Sequence, residues 1–158
     1  MSDDGPVRVD SVHVAPERGA PMVPVDRVEA RAGQGLVGDR YLGTRHRHVT
    51  VQSRTELDAA AGALGAPVGS GRTRRNITLD RGAVPTEPGS RIVVGGPDGV
   101  VLEVVRRAAP CRVMETAVGP GARRALHDRG GAVCRILTSG TIATGDPVTV
   151  TGPGTTRP

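Results

Sequence analysis

At 158 residues, 37% of them hydrophobic, the chain is long enough for one domain with a core of its own. One Tyr and no Phe or Trp leave that core to Val, Leu, Ile, Ala and Met. All 21 basic residues are arginine, which excludes a Schiff-base lysine, a pyridoxal-phosphate anchor and a phosphate-loop lysine. The net charge of +5 comes without the aromatic side chains on which RNA and single strands stack, so no nucleic-acid partner is expected and a small anionic ligand is the expected use of the charge.

Two cysteines, Cys111 and Cys134, make neither a disulfide framework nor a zinc spacing. The N-terminal residues carry no apolar run, and no stretch approaches the roughly 18 consecutive apolar residues of a membrane span. A cytoplasmic protein with reduced thiols is expected. The 23 Gly and 13 Pro, with Val dominating the periodic segments, favour short strands and turns over long helices.

Residues 1–6 read as a flexible tail, 7–151 as a single domain and 152–158 as a second tail. Val7 to Val14 alternates but slips phase at Asp10 and Ser11, which predicts a bulged strand. A loop over Ala15 to Pro24 leads to an extended Val25 to Ala30. The glycine-rich Gly33 to Gly38 lacks a Gly-Lys-Ser/Thr ending and opens no helix, so it is not a phosphate loop, and no NAD-binding motif is present. Asp39 follows, able to bond backbone amides in a tight loop, with Tyr41 two residues on.

His46 and His48 stand at spacing two before a short strand, Val49 to Val51. On an extended chain they face the same way, but nothing near them completes a metal set, so a substrate-facing or solvated pair is expected. Ser53 and Glu56 form a capping box for a helix that Gly65 ends. Arg74, Arg75 and Asn76 run into a strand whose Ile77 and Leu79 form one face. Alternation then puts Arg74 and Asn76 together on the other face, either as a clamp for an anion or a heterocycle or as surface charge at a sheet edge.

Arg91 to Val94 and Val100 to Val105 make a hairpin across Gly95 to Gly99. The second strand runs into Arg106-Arg107, then Pro110, Cys111 and Arg112. Arginine charge beside a thiol favours the thiolate, so Cys111 is a candidate nucleophile, sulfur carrier or soft-metal ligand, set against the alternative of a small buried apolar residue. A helical turn is expected over Arg112 to Ala117 and a second helix from Pro120 through Asp128, ended by Gly130 and Gly131. Ala132 to Leu137 is a strand, Gly140 to Asp146 a turn, and Val148 and Val150 close the sheet.

In order and spacing, Gly35-Leu36-Val37-Gly38-Asp39-Arg40-Tyr41, Arg74-Arg75-Asn76-Ile77, Pro110-Cys111, Gly131 to Leu137, Gly140-Thr141-Ile142 and Gly145-Asp146-Pro147-Val148 resemble the MOSC domain, the module named after the C-terminal part of molybdenum cofactor sulfurases. The resemblance runs from about Val7 to Val150 and is to a small stand-alone member. It implies a mainly β fold, a mostly antiparallel β-barrel with a few peripheral short helices. It further implies a molybdenum cofactor whose metal is bound by Cys111 and whose anionic part is held by Arg74 and Asn76, with Arg75, Arg112 and Asp39 beside them. His46, His48 and Tyr41 are then substrate-side residues, and Cys134 is core. Two activities are implied: reduction of N-hydroxylated ligands with a redox partner, or, without molybdenum, sulfur transfer from a donor protein or carbon–sulfur chemistry through a Cys111 persulfide or thiolate. A non-catalytic cofactor-binding module is the third reading.

Overall fold

The computed structural model describes residues 5–110 and 112–153, with the side chains of 112 and 113 excepted. The described residues form eleven strands, three short α-helices and one 3-10 turn at Ser70–Arg72. Strand β1 (Val7–Val14) pairs with β2 (Val23–Val25), and its register shifts between Val9 and Ser11, where the alternation slips. Strands β3 (Arg27–Arg31) and β4 (Gly35–Leu36) follow, then β5 (Val49–Ser53).

Helix α1 (Arg54–Leu64) begins at the capping box. The Ser53 hydroxyl accepts from the Glu56 N–H, and the helix ends on Gly65 in the left-handed region. Strand β6 (Ile77–Leu79) lies parallel to β5, and α1 supplies the crossover that a parallel pair needs. The hairpin β7 (Arg91–Val94) and β8 (Val100–Arg107), helices α2 (Arg112–Val118) and α3 (Ala122–Ala125), and strands β9 (Ala132–Ile136), β10 (Gly140–Ala143) and β11 (Pro147–Thr151) complete the chain.

The sheet order β11-β7-β8-β9-β5-β6-β1 closes because β11 also pairs with β1, Val7 opposite Val148. The result is a closed seven-stranded barrel, antiparallel except for β5 and β6. Its interior holds Val9, Val51, Ile77, Leu79, Ile92, Leu102 and Ile136, and Cys134 lies among them. Burial pushes the Cys134 thiol up to about 12, so it is an inert core residue. A second, smaller apolar cluster sits outside the barrel, where Leu57 and Ala60 of α1 meet Met114, Ala122, Ala125 and Leu126.

Two expectations are corrected. Helix α3 is a single turn instead of a helix reaching Asp128, because Leu126 already leaves helical geometry. Residues 140–143 form a strand paired with β3, not a turn; the turn is confined to the residues just before Asp146. Gly130 and Gly131 do more than end a helix: a Cβ on Gly131 would fall 1.8 Å from the Val51 carbonyl oxygen, and Gly131 has φ of 85°. Only glycine permits that approach of β9 to β5.

Candidate functional site

The site begins with a buried polar junction where the end of β1, β5 and the approach to β6 meet. Asn76 lies just before β6, and its amide has all its hydrogen-bonding positions taken. Its Oδ1 accepts from the Thr50 N–H at 3.0 Å and the Thr50 hydroxyl at 3.1 Å. Its Nδ2 donates to the His13 carbonyl at 3.0 Å and to Asp39 Oδ1 at 3.2 Å. Asp39 in turn accepts from the Ala15 N–H at 2.9 Å and the Tyr41 N–H at 3.2 Å. Both side chains are buried. Together they fasten the loop after β1 and the loop after β4 to the barrel.

Arg74 and Asn76 do not share a face by alternation. Arg74 adopts a left-handed conformation with φ of 63°, the only described non-glycine residue to do so, and this breaks the extended run two residues before the strand begins. The twist sends its guanidinium to the Ala20 carbonyl, 2.6 Å away. Arg75 takes a different path. It is 2% exposed and donates from Nε to the Gly130 carbonyl at 2.8 Å and from Nη2 to the carbonyls of Ala108 and Ala109 at 3.4 and 3.2 Å. It therefore holds from beneath the segment that leads to Pro110. Cys111 itself lies outside the described residues, as does the side chain of Arg112.

Beside the junction is a cavity of about 260 Å³ lined by Arg18, Gly19, Arg40, Tyr41, Arg47, Arg74 and Arg75. The guanidinium carbons of Arg40 and Arg47 each lie 4.5 Å from the centre of the Tyr41 ring, within cation–π range. Arg40 Nη2 also donates to the Tyr41 hydroxyl at 3.3 Å. Burial acts to raise the phenol pKa, but the Arg40 hydrogen bond and the charges of Arg47 and Arg40 outweigh it, and the net shift is downward. The Nε of Arg47 is buried without a hydrogen-bond partner among the described residues. Five arginines and no carboxylate line this cavity, a composition that suits an anion with several acceptor oxygens.

The two histidines separate. His46 is exposed, whereas His48 is buried, because β5 starts only at Val49 and no alternation links them. His48 Nδ1 accepts from the Ile136 N–H at 2.9 Å, and its Nε2 lies 3.0 Å from the Thr44 carbonyl, which makes Nε2 the protonated nitrogen. His48 thus ties the loop after β4 to β9 and lines none of the cavities described here. No group of three metal-ligating side chains occurs among the described residues.

Of the residues expected at the site, the cavity gathers Arg74, Arg75 and Tyr41; Asp39 and Asn76 stand behind it as its frame. Arg18, Arg40 and Arg47 escaped the sequence reading. Arg40 and Arg47 flank the single aromatic residue in sequence, and that adjacency was the available signal; Arg18 sits in a loop with no pattern to mark it.

Residues 38–149 match the MOSC domain. The chain belongs to the MOSC domain family. The barrel superposes on the YuaD protein from Bacillus subtilis with a TM-score of 0.79 at 19% identity, covering 92% of this chain and 96% of that one. YiiM from Geobacillus stearothermophilus gives a TM-score of 0.72 at 20% identity over 95% of this chain and 77% of its own. YiiM from Escherichia coli gives 0.66 at 15% identity over 93% and 71%. No curated protein matches the sequence. At these identities the likeness establishes the MOSC fold. No helix among the described residues of this MOSC chain is long and apolar enough to cross a membrane.

Proposed function

We propose that this MOSC protein is a cytoplasmic enzyme that binds molybdenum cofactor, with Cys111 on the metal, and reduces N-hydroxylated compounds. The observation that carries the reading is the convergence of Arg18, Arg40, Arg47, Arg74 and Arg75 on one cavity whose wall contains no carboxylate. The donor chemistry fits the anionic end of the cofactor, since phosphate and pterin oxygens accept from guanidinium forks. The soft thiolate that the metal calls for is the role the family resemblance gives to Cys111.

When bound, the cofactor would supply a molybdenum centre able to take oxygen from an N-hydroxyl group. The chain's own residues do the rest. Arg74 and Arg47 hold and orient the anion. Arg75 keeps the carbonyls of Ala108 and Ala109 in place, which sets the course of the chain into Pro110. Tyr41, its acidity raised by its two arginine neighbours, holds a proton at its hydroxyl at the cavity wall, where water must leave after reduction. Electrons would come from a separate redox partner.

The test is elemental analysis of protein produced in a host that makes molybdenum cofactor. Near-stoichiometric molybdenum that falls to traces in Cys111→Ser and in Arg47→Glu is expected. Traces in the wild-type protein, unchanged by Cys111→Ser, would overturn the proposal. Sulfur transfer is the competing outcome, read by mass spectrometry as added sulfur mapping to Cys111 and not Cys134 after exposure to a sulfur donor.

A further inference from the structure

Arg74 separates the arginine cavity from a second one. This neighbour, about 570 Å³, shares Gly19 and Arg74 with the first and is otherwise lined by Pro21, Met22, Gly71, Arg72, Thr116 and Ala117. Its size lies in the range of small-molecule sites, about 300 to 1,000 Å³. Its walls are braced. The Arg74 guanidinium pins the loop after β1 at the Ala20 carbonyl. The Thr73 hydroxyl donates to Gln52 Oε1 at 2.6 Å, which fixes the turn containing Gly71, and Arg72 Nη1 reaches the Ala117 carbonyl at 2.9 Å, which ties that turn to α2. A Cβ on Gly71 would fall 3.1 Å from His13 Nε2, so the turn rests directly on the histidine ring.

The second cavity differs from the first in chemistry. Pro21, Met22 and Ala117 give it an apolar floor, and Arg72 and Arg74 give it positive charge at one edge. No carboxylate lines it, so nothing there would hold an amine. A thioether makes favourable contacts with aromatic rings, and guanidinium planes stack on them. The left-handed backbone at Arg74, a strained conformation for a non-glycine residue, falls at the wall the two cavities share.

We propose that this second cavity is a subsite for a flat aromatic or heteroaromatic ligand, neutral or anionic, its face against Met22 and Pro21 and its acceptor edge toward Arg72 and Arg74. Because Gly19 and Arg74 line both cavities, such a ligand would lie next to whatever anion the arginine cavity holds. The inference rests on the cofactor reading only in taking this ligand to be the N-hydroxylated substrate; the ring preference itself needs no metal.

The experiment is a backbone amide chemical-shift titration of the full-length chain with benzoate and, separately, with benzylamine and acetate. Benzoate should move the amides of Met22, Gly71 and Ala117 saturably, at least about tenfold more tightly than either control, a difference of about 1.4 kcal/mol. Acetate moving the same amides equally well, or benzoate shifts confined to Arg40, Tyr41 and Arg47, would overturn the proposal. Met22→Glu should abolish the saturable shifts at Gly71 and Ala117 while leaving the spectrum folded and the molybdenum content of the holoprotein unchanged. Arg74→Gly, tolerated by the left-handed backbone, should weaken benzoate about tenfold by removing a charged partner. Loss of molybdenum together with benzoate binding in Met22→Glu would assign the cavity to the cofactor and defeat the subsite. Benzoate binding by a wild-type protein that never takes up molybdenum would keep the subsite and defeat the cofactor reading.

Discussion

The polar junction around Asp39 and Asn76 and the arginine cavity beside it are made from the same two stretches of chain, residues 39–41 and 74–76, yet they obey opposite rules. In the junction the side-chain oxygens and nitrogens of Asp39 and Asn76 have protein partners. In the cavity like charges are crowded together around one phenol, and the buried Arg47 Nε has no hydrogen-bond partner among the described residues. Buried polar groups that satisfy one another specify a fold, whereas like charges converging on a cavity suit a ligand of opposite sign. Alternate residues divide the labour: Asp39 and Asn76 build, Tyr41 and Arg74 face outward, and Arg75 reaches past both.

The largest effect should come from breaking the junction. Asn76→Ala leaves the Thr50 N–H, the His13 carbonyl and one Asp39 contact without their partner, and should lower unfolding free energy by about 3 kcal/mol, at the upper end for stranded buried groups. Urea denaturation measures it; a loss below about 1 kcal/mol, the ordinary net value of one hydrogen bond, would move Asn76 from frame to ligand site. Arg75→Met comes next, at about 2 kcal/mol for a charged donor serving three carbonyls. Its metal content should fall further than its stability alone accounts for, because the segment leading to Pro110 loses its support.

Acid should damage the frame before the cavity. Burial lowers the pKa of His48, more than the Thr44 carbonyl contact raises it, and burial lowers that of His13. Both histidines therefore take up protons less readily when folded than when unfolded. Their contribution to stability is present above the ordinary value of 6.5 and is lost as pH falls through the depressed folded values. Thermal denaturation across that window should show the decline, and His48→Gln should flatten it in part. The smallest effect belongs to the cavity. The only tyrosine in the chain should ionise with a midpoint below 10.0 by ultraviolet absorbance, moving upward as added salt screens Arg40 and Arg47. A midpoint at or above that value would mean that the two guanidiniums do not face the ring in solution.

What the sequence disclosed followed from local rules. The capping box at Ser53 and Glu56, the left-handed stop at Gly65, the slip at Asp10 and Ser11 and the hairpin across Gly95 to Gly99 each depend on neighbours a few positions away. The family pattern extended that reach to the barrel and marked the 39–41 and 74–76 stretches. What stayed hidden depends on partners brought together by closure. Nothing within a few residues of Asn76 announces that its amide meets Asp39, or that Arg75 is to be buried against Ala108, Ala109 and Gly130. Strand β10 was hidden for a related reason: Gly140 to Ala143 is extended because β3 lies opposite, not because its own residues favour a strand. Arg74 misled because alternation assumes an extended backbone, which a left-handed residue violates.

The barrel closes by pairing Val7 with Val148, residues from opposite ends of the domain. Such a contact forms only after almost the whole chain is available, and the entropy of closing so long a loop opposes it. Strand β1 is also the strand that the Asn76 junction grips at the His13 carbonyl. At that end β1 already has β6 on one side and β2 on the other, so only Val7 and Arg8 wait for β11. A growing chain can thus frame the arginine cavity from its first half, and β11 then seals the far end of β1, so loss of the C-terminal strand should open the barrel while leaving the Asn76 junction its own partners.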